Sequence, residues 1–156
     1  MQVTLHWIVV VLVAFQFLAH DAIEESWRTS MRREPPPDTA VLTYLHVATG
    51  LLVLILALVR IYLRLTRGVP SPPEDEARLL QIAGEAVHGS IYVLLVLLPI
   101  SGATAWFLGV QAAGDAHELL KNLLLAAIFF HIAGALFQHF VRRSQVLMRM
   151  FRPDRN

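Results

Sequence analysis

The sequence predicts an all-α integral membrane protein, a four-helix bundle with both chain ends on the cytoplasmic side. Hydrophobic residues make up 56% of the 156-residue chain and charged residues only 16%, against about 25% charged in an ordinary soluble domain. Four apolar stretches, about residues 3–22, 41–63, 86–108 and 117–141, each reach the roughly 20 residues that a helix needs to span a bilayer. The arginines collect on one side of these stretches. Length, together with the lack of an internal repeat or a separate soluble segment, makes residues 1–156 one domain.

The first stretch has no basic residues ahead of its apolar run and no A-x-A site where the run meets His20 and Asp21, so it reads as a retained helix rather than a cleaved leader. It is followed by Glu34-Pro35-Pro36-Pro37-Asp38, which cannot continue a helix. The second stretch runs into Arg60, Arg64 and Arg67, and a second breaker, Val69-Pro70-Ser71-Pro72-Pro73-Glu74, precedes Arg78. Pro99 and Gly102 lie inside the third stretch, where a kink is expected. Arg142, Arg143, Arg149, Arg152 and Arg155 follow the fourth, so nine arginines share one side. The opposite side has Arg28, Arg32, Arg33 and Lys121, diluted by Asp21, Glu24, Glu25, Glu34 and Asp38. The positive-inside rule then places both termini in the cytoplasm. Trp7, Trp27, Tyr44 and Trp106 fall near the predicted ends, where interfacial aromatics collect.

Composition also excludes chemistry. With no cysteine, the chain can hold neither an iron–sulfur cluster nor a haem attached through C-x-x-C-H, so any haem is non-covalent. A net charge of +1 gives no basis for nucleic-acid binding. The sequence has no nucleophile elbow, zincin helix, P-loop or dinucleotide fingerprint, and hydrolase chemistry has no support.

What remains is a set of seven histidines in and around hydrocarbon, where an imidazole is costly and points to function. His117 and His131 are fourteen residues apart, which puts them within about 40° of one helix face and about 21 Å apart along it. That is a geometry for two stacked cofactors. Ligation by two imidazoles needs histidines at matching depth on facing helices. His6 or His88 has the depth to partner His131 at the inner end. His20 or His46 can partner His117 at the outer end. His6 and His20 are also fourteen apart, whereas Gly50, one turn after His46, leaves room for a planar ligand. Arg60 and Arg64 share a face near the inner end and can fork onto carboxylates. Gly50, Gly102 and Gly134 open space along the helices. His139 falls among the inner arginines.

The motifs LHW at 5–7, YLHVATG at 44–50, LVRIYLRL at 58–65, HGSIYVLLVLLPISG at 88–102 and HELLKNLLLAAIFFHIAGAL at 117–136 together resemble the bacterial cytochrome b561 family. They are also similar to the cytochrome b subunits of nickel–iron hydrogenases and formate dehydrogenases. The resemblance implies a multi-pass protein of the bacterial inner membrane holding two non-covalent haem b groups. It implies His6 and His131 as ligands of the inner haem, and His46 and His117 as ligands of the outer haem. Arg60 and Arg64 would meet haem carboxylates, and His88 would lie beside the inner haem or a quinone. Ubiquinone is the implied electron partner. One branch of the family oxidises superoxide at the periplasmic face; others serve as conduits for a dehydrogenase or a periplasmic redox protein.

Overall fold

The computed structural model describes residues 2–35, 37–38, 40–68, 77–144 and 146–151. Pro36, the breaker at 69–74, Arg152 and Arg155 lie outside the described residues. Within them the chain is all helical: α1 (Gln2–Leu18), α2 (His20–Arg32), α3 (Ala40–Arg67), α4 (Arg78–Leu108), α5 (Gln111–Phe140) and α6 (Val146–Phe151), with no strand. Helices α3, α4 and α5 are each long and apolar enough to cross a membrane, and α1 with α2 makes a fourth span if the bent pair is counted as one.

The first helix is not the single rod expected over residues 3–22. It breaks at Ala19, and α2 leaves α1 at 52°. The helical hydrogen bond from Ala19 N–H to Phe15 O survives at 2.9 Å, but that from Ile23 to Ala19 is stretched to 3.4 Å. No proline or glycine sits at the bend. The change of direction coincides with a change of solvent preference, from the apolar VVVLVAF of α1 to HDAIEESWR in α2. Helix α2 closes on Arg33, left-handed at φ 56°, whose N–H meets Ser30 O while that of Glu34 meets Thr29 O, the usual way to satisfy orphan carbonyls.

Helix α4, the third apolar stretch, starts at Arg78 and runs through Pro99 without interruption. It stops at Gly109, whose φ of 66° suits a residue without Cβ and whose N–H caps Ala105 O. Val110 alone then separates Gly109 from α5, so α4 and α5 pack along one another as antiparallel neighbours, while α3 touches both α1 and α4.

Val9 and Val13 of α1, Val53 and Ala57 of α3, Leu94 and Leu95 of α4, and Leu124 of α5 form the core. Ala57 is fully buried. In lipid the gain comes from close packing rather than escape from water, so a small residue at a helix crossing is what the solvent demands. The outward faces are correspondingly apolar: Val41, Leu65 and Phe140 are largely exposed. A polar knot ties α2 to α3, where the buried Ser26 and Thr43 hydroxyls meet at 2.6 Å and Thr43 also donates to Ala22 O at 3.2 Å.

Candidate functional site: two histidine pairs separated by the core

Six of the seven histidines gather into two groups, one at the end of the molecule bearing α2 and one at the end bearing Arg60 and Arg64. The α2 end holds His46 from α3 and His117 from α5, with ring centres 6.4 Å apart and planes at 65°. His117 is fixed by α4: its Nδ1 lies 2.9 Å from Leu98 O and 3.3 Å from Ser101 Oγ. A carbonyl only accepts, so Nδ1 carries the hydrogen and Nε2 presents its lone pair. Gly102 makes this possible, because a Cβ there would stand 3.0 Å from His117 Cε1 and Nδ1.

His46 is held from the other side. Gln16 of α1 donates its amide to His46 O at 3.1 Å and to Thr49 Oγ1 at 2.8 Å. Gln16, His20, His46, Gly50, His117 and Lys121 share one apolar-walled cavity. His20 reaches this cavity from its rim, but its Nε2 is engaged: Lys121 Nζ donates to it at 2.8 Å, and Glu24 and Glu118 stand 3.8 Å away. Lys121 also pairs with Glu118 at 2.5 Å. A larger, charged opening lies along α2 among Asp21, Glu24, Glu25, Arg28 and Arg32, and none of the paired rings lines it.

The arginine end holds His6 of α1, His88 of α4 and His131 of α5. The His6 and His131 rings are 6.2 Å apart at 61°, and His88 lies 5.0 Å from His131. His88 Nδ1 donates to Gly84 O at 2.7 Å within its own helix. Arg60 donates to His6 Nδ1 at 3.2 Å. Arg60 and Arg64 both approach the face of Tyr92, at 5.7 and 5.9 Å, as cations do over aromatic rings. Helix α6 closes over this end, where Trp7 Nε1 donates to Met150 O at 3.0 Å and the Trp7 ring lies 5.1 Å from Phe151. His139 stands apart, its ring against Phe140 at 4.9 Å.

Between the two groups lies the core. Leu124 is midway between His117 and His131 in sequence, and Val53 and Ala57 fall between His46 and Arg60. Thus His6, His131, His88, Arg60 and Arg64 come together, and so do His46 and His117. Gln16, Ser101, the Leu98 carbonyl and Tyr92 join them without having been expected. Of these only Gln16 had a signal in sequence, as a lone amide in an apolar run.

The ring spacings test what the pairs can hold. Metal–nitrogen bonds of about 2 Å, with about 1.1 Å more from nitrogen to ring centre, separate two coaxial imidazole centres by about 6.3 Å. Both pairs meet this. Among the described residues no three His, Cys, Asp or Glu side chains converge into a metal cage. The spacing of each pair thus fits a metal held between two imidazoles, as in a low-spin haem.

Apolar spanning helices that hold paired imidazoles between them define a membrane cytochrome of the b type. The sequence matches the family described as prokaryotic cytochrome b561 over residues 1–153, and the chain belongs to that family. It is similar to cytochrome b562 of Cereibacter sphaeroides, with 35% identity over 156 residues covering 98% of this chain and 94% of the relative. It is also similar to a protein named probable superoxide oxidase CybB of Yersinia pestis, with 28% identity covering 96% and 93%. It is thus a multi-pass membrane cytochrome that transfers electrons, and membership of the family implies haem b.

Proposed function

We propose that the protein is a four-helix, di-haem cytochrome b with both termini in the cytoplasm, carrying electrons across the bacterial inner membrane between a periplasmic donor and the ubiquinone pool. The reading rests on one observation above the rest: two imidazole pairs, 6.2 and 6.4 Å between ring centres, on either side of a packed apolar core. His6 and His131 hold the inner haem, and His46 and His117 the outer. Haem held between two imidazoles would supply a one-electron Fe(III)/Fe(II) couple and favour electron transfer over oxygen binding.

The chain's residues prepare these sites unequally. Leu98 O already selects the tautomer of His117 that presents Nε2. At the other end, Arg60 donates to His6 Nδ1, yet an imidazole ligating through Nε2 carries its own hydrogen there. Ligation by His6 would therefore turn Arg60 away and free its guanidinium for another acceptor. A haem carboxylate suits it, and Arg64 across Tyr92 is the second fork. His88, with Nδ1 committed to Gly84, keeps Nε2 for a contact beside the inner haem or a quinone.

Two activities fit this wire. In the first the protein is itself an oxidoreductase. Each superoxide gives up one electron at the outer end and leaves as dioxygen, and two electrons with two protons from water convert quinone to quinol. The CybB relative supports it. The second reading is an electron conduit and membrane anchor for a dehydrogenase or a periplasmic redox protein. It is favoured by the Cereibacter relative, named simply a cytochrome, and by the charge at the outer end, where Lys121 is paired with Glu118 and Arg28 with Glu24.

A redox difference spectrum with haem quantitation on the purified protein tests the shared claim: two haems per chain are expected, and none would refute it. His46→Ala should remove about half the haem whereas His20→Ala retains both; the reverse result overturns the outer ligand assignment. Superoxide-dependent quinone reduction that is lost in His117→Ala selects the first activity. Copurification of a redox subunit from native membranes, with no superoxide activity, selects the second.

A further inference from the structure

Hydrogen-bond accounting around His46 leaves two buried atoms without partners among the described residues, Gln16 Oε1 and His46 Nδ1. They are complementary. The orientation of the Gln16 amide is settled by its neighbours: Thr49 donates its own hydrogen to Leu45 O at 2.6 Å, so its oxygen must accept, and His46 O can only accept. The nitrogen of Gln16 therefore faces both acceptors, and Oε1 is the spare oxygen. Gln16 and His46 line the same cavity.

The opposite ligand of that cavity has no such vacancy. His117 Nδ1 has the Leu98 carbonyl at 2.9 Å, whereas His46 Nδ1 has nothing. Ring nitrogens opposite a metal bond almost always find an acceptor, which fixes the ring plane and raises the basicity of the ligating nitrogen. We propose that Gln16 is the positioning residue for His46, its Oε1 accepting the Nδ1 hydrogen once Nε2 of the same ring binds iron. This rests on the reading of His46 as an axial ligand. A purely structural role, stapling α1 to α3, accounts for only the nitrogen half of the amide. The oxygen half would then be buried in the hydrocarbon layer for nothing, which is costly there.

The test uses the full-length, haem-loaded protein and reads the midpoint potential of each haem together with its low-spin EPR signal. Gln16→Leu removes the acceptor, making His46 a weaker base and raising the outer haem's potential. The expected shift is about tenfold in its one-electron equilibrium, about 59 mV, with an altered EPR signal as the ring is freed. The inner haem keeps its potential and serves as the internal reference. Gln16→Met, flexible enough to fill the same space, gives the same shift and carries the test if the leucine variant does not assemble. Thr49→Val cuts a staple bond but leaves Oε1 in place, and leaves both potentials unchanged. The proposal is overturned if the Gln16 variants bind both haems at unaltered potentials, or if Thr49→Val reproduces their shift. A wild-type protein without an outer haem would instead defeat the ligand assignment beneath it.

Discussion

Gly102 shows how far one hydrogen atom in place of a methyl group can decide a site. Replacing an interior helical glycine with alanine ordinarily gains about 0.5–1 kcal/mol. At 102 the added Cβ would stand 3.0 Å from two atoms of the His117 ring, and overpacking of that kind costs about 1–3 kcal/mol. The clash wins, because the ring is pinned by Leu98 and Ser101 and cannot retreat without losing them. On the proposed two-haem reading, Gly102→Ala should therefore lower outer-haem occupancy, read as a fall toward one haem per chain. Gly89→Ala, on the same helix with nothing within 4 Å of its Cβ, should leave haem content unchanged. Helical spacing made the depths of the histidines legible in sequence but left His6 or His88 opposite His131 and His20 or His46 opposite His117; the family resemblance made the choice. The partners of their Nδ1 atoms were not legible. Leu98 contributes a backbone carbonyl, which no residue type announces, and Gln16 acquires meaning only when α1 is laid against α3.

Among the elements, the helical spans could be read from hydropathy, but the break at Ala19 could not, because no proline or glycine marks it. Helix α2 departs from α1 where the sequence becomes polar, and then stays against α3 through the Ser26–Thr43 knot. Thr43 is 2% exposed, so Thr43→Val strands the buried Ser26 hydroxyl and removes the extra donor to Ala22 O, which keeps its helical partner. A loss of about 1–3 kcal/mol is expected, measured as a lowered unfolding midpoint in detergent. Adding Ser26→Ala should cost less than it does alone, since its partner is already gone; additive losses would show that the two hydroxyls act independently. The kink expected at Pro99 concerns a helix that runs unbroken from Arg78 to Leu108. Proline removes only the donor to Leu95 O, and the packing of α4 along α5 holds the rest.

For the whole molecule, composition and span count were enough to read an all-helical membrane protein, and motif order was enough to read its family. How the ends differ was only half visible. The arginine side stands out in sequence, and so does Glu118 one turn before Lys121 on the same helix, but the contact of Lys121 with His20 depends on where the break at Ala19 leaves α2. The packed layer of Val9, Val13, Val53, Ala57, Leu94, Leu95 and Leu124 also makes the molecule a capacitor. Its plates are the two histidine pairs, about 21 Å apart along α5 in a hydrocarbon slab about 30 Å thick. A charge passing between them crosses about two-thirds of the transmembrane field, about 1.6 kcal/mol for every 100 mV. If each pair holds a haem as proposed, an imposed 100 mV in sealed vesicles should thus redistribute an electron between the two ends by about fifteenfold, visible as opposite absorbance changes of the two haems. On the two-haem reading, the same apolar wall that holds the helices together would make the membrane potential part of the cytochrome's working equilibrium.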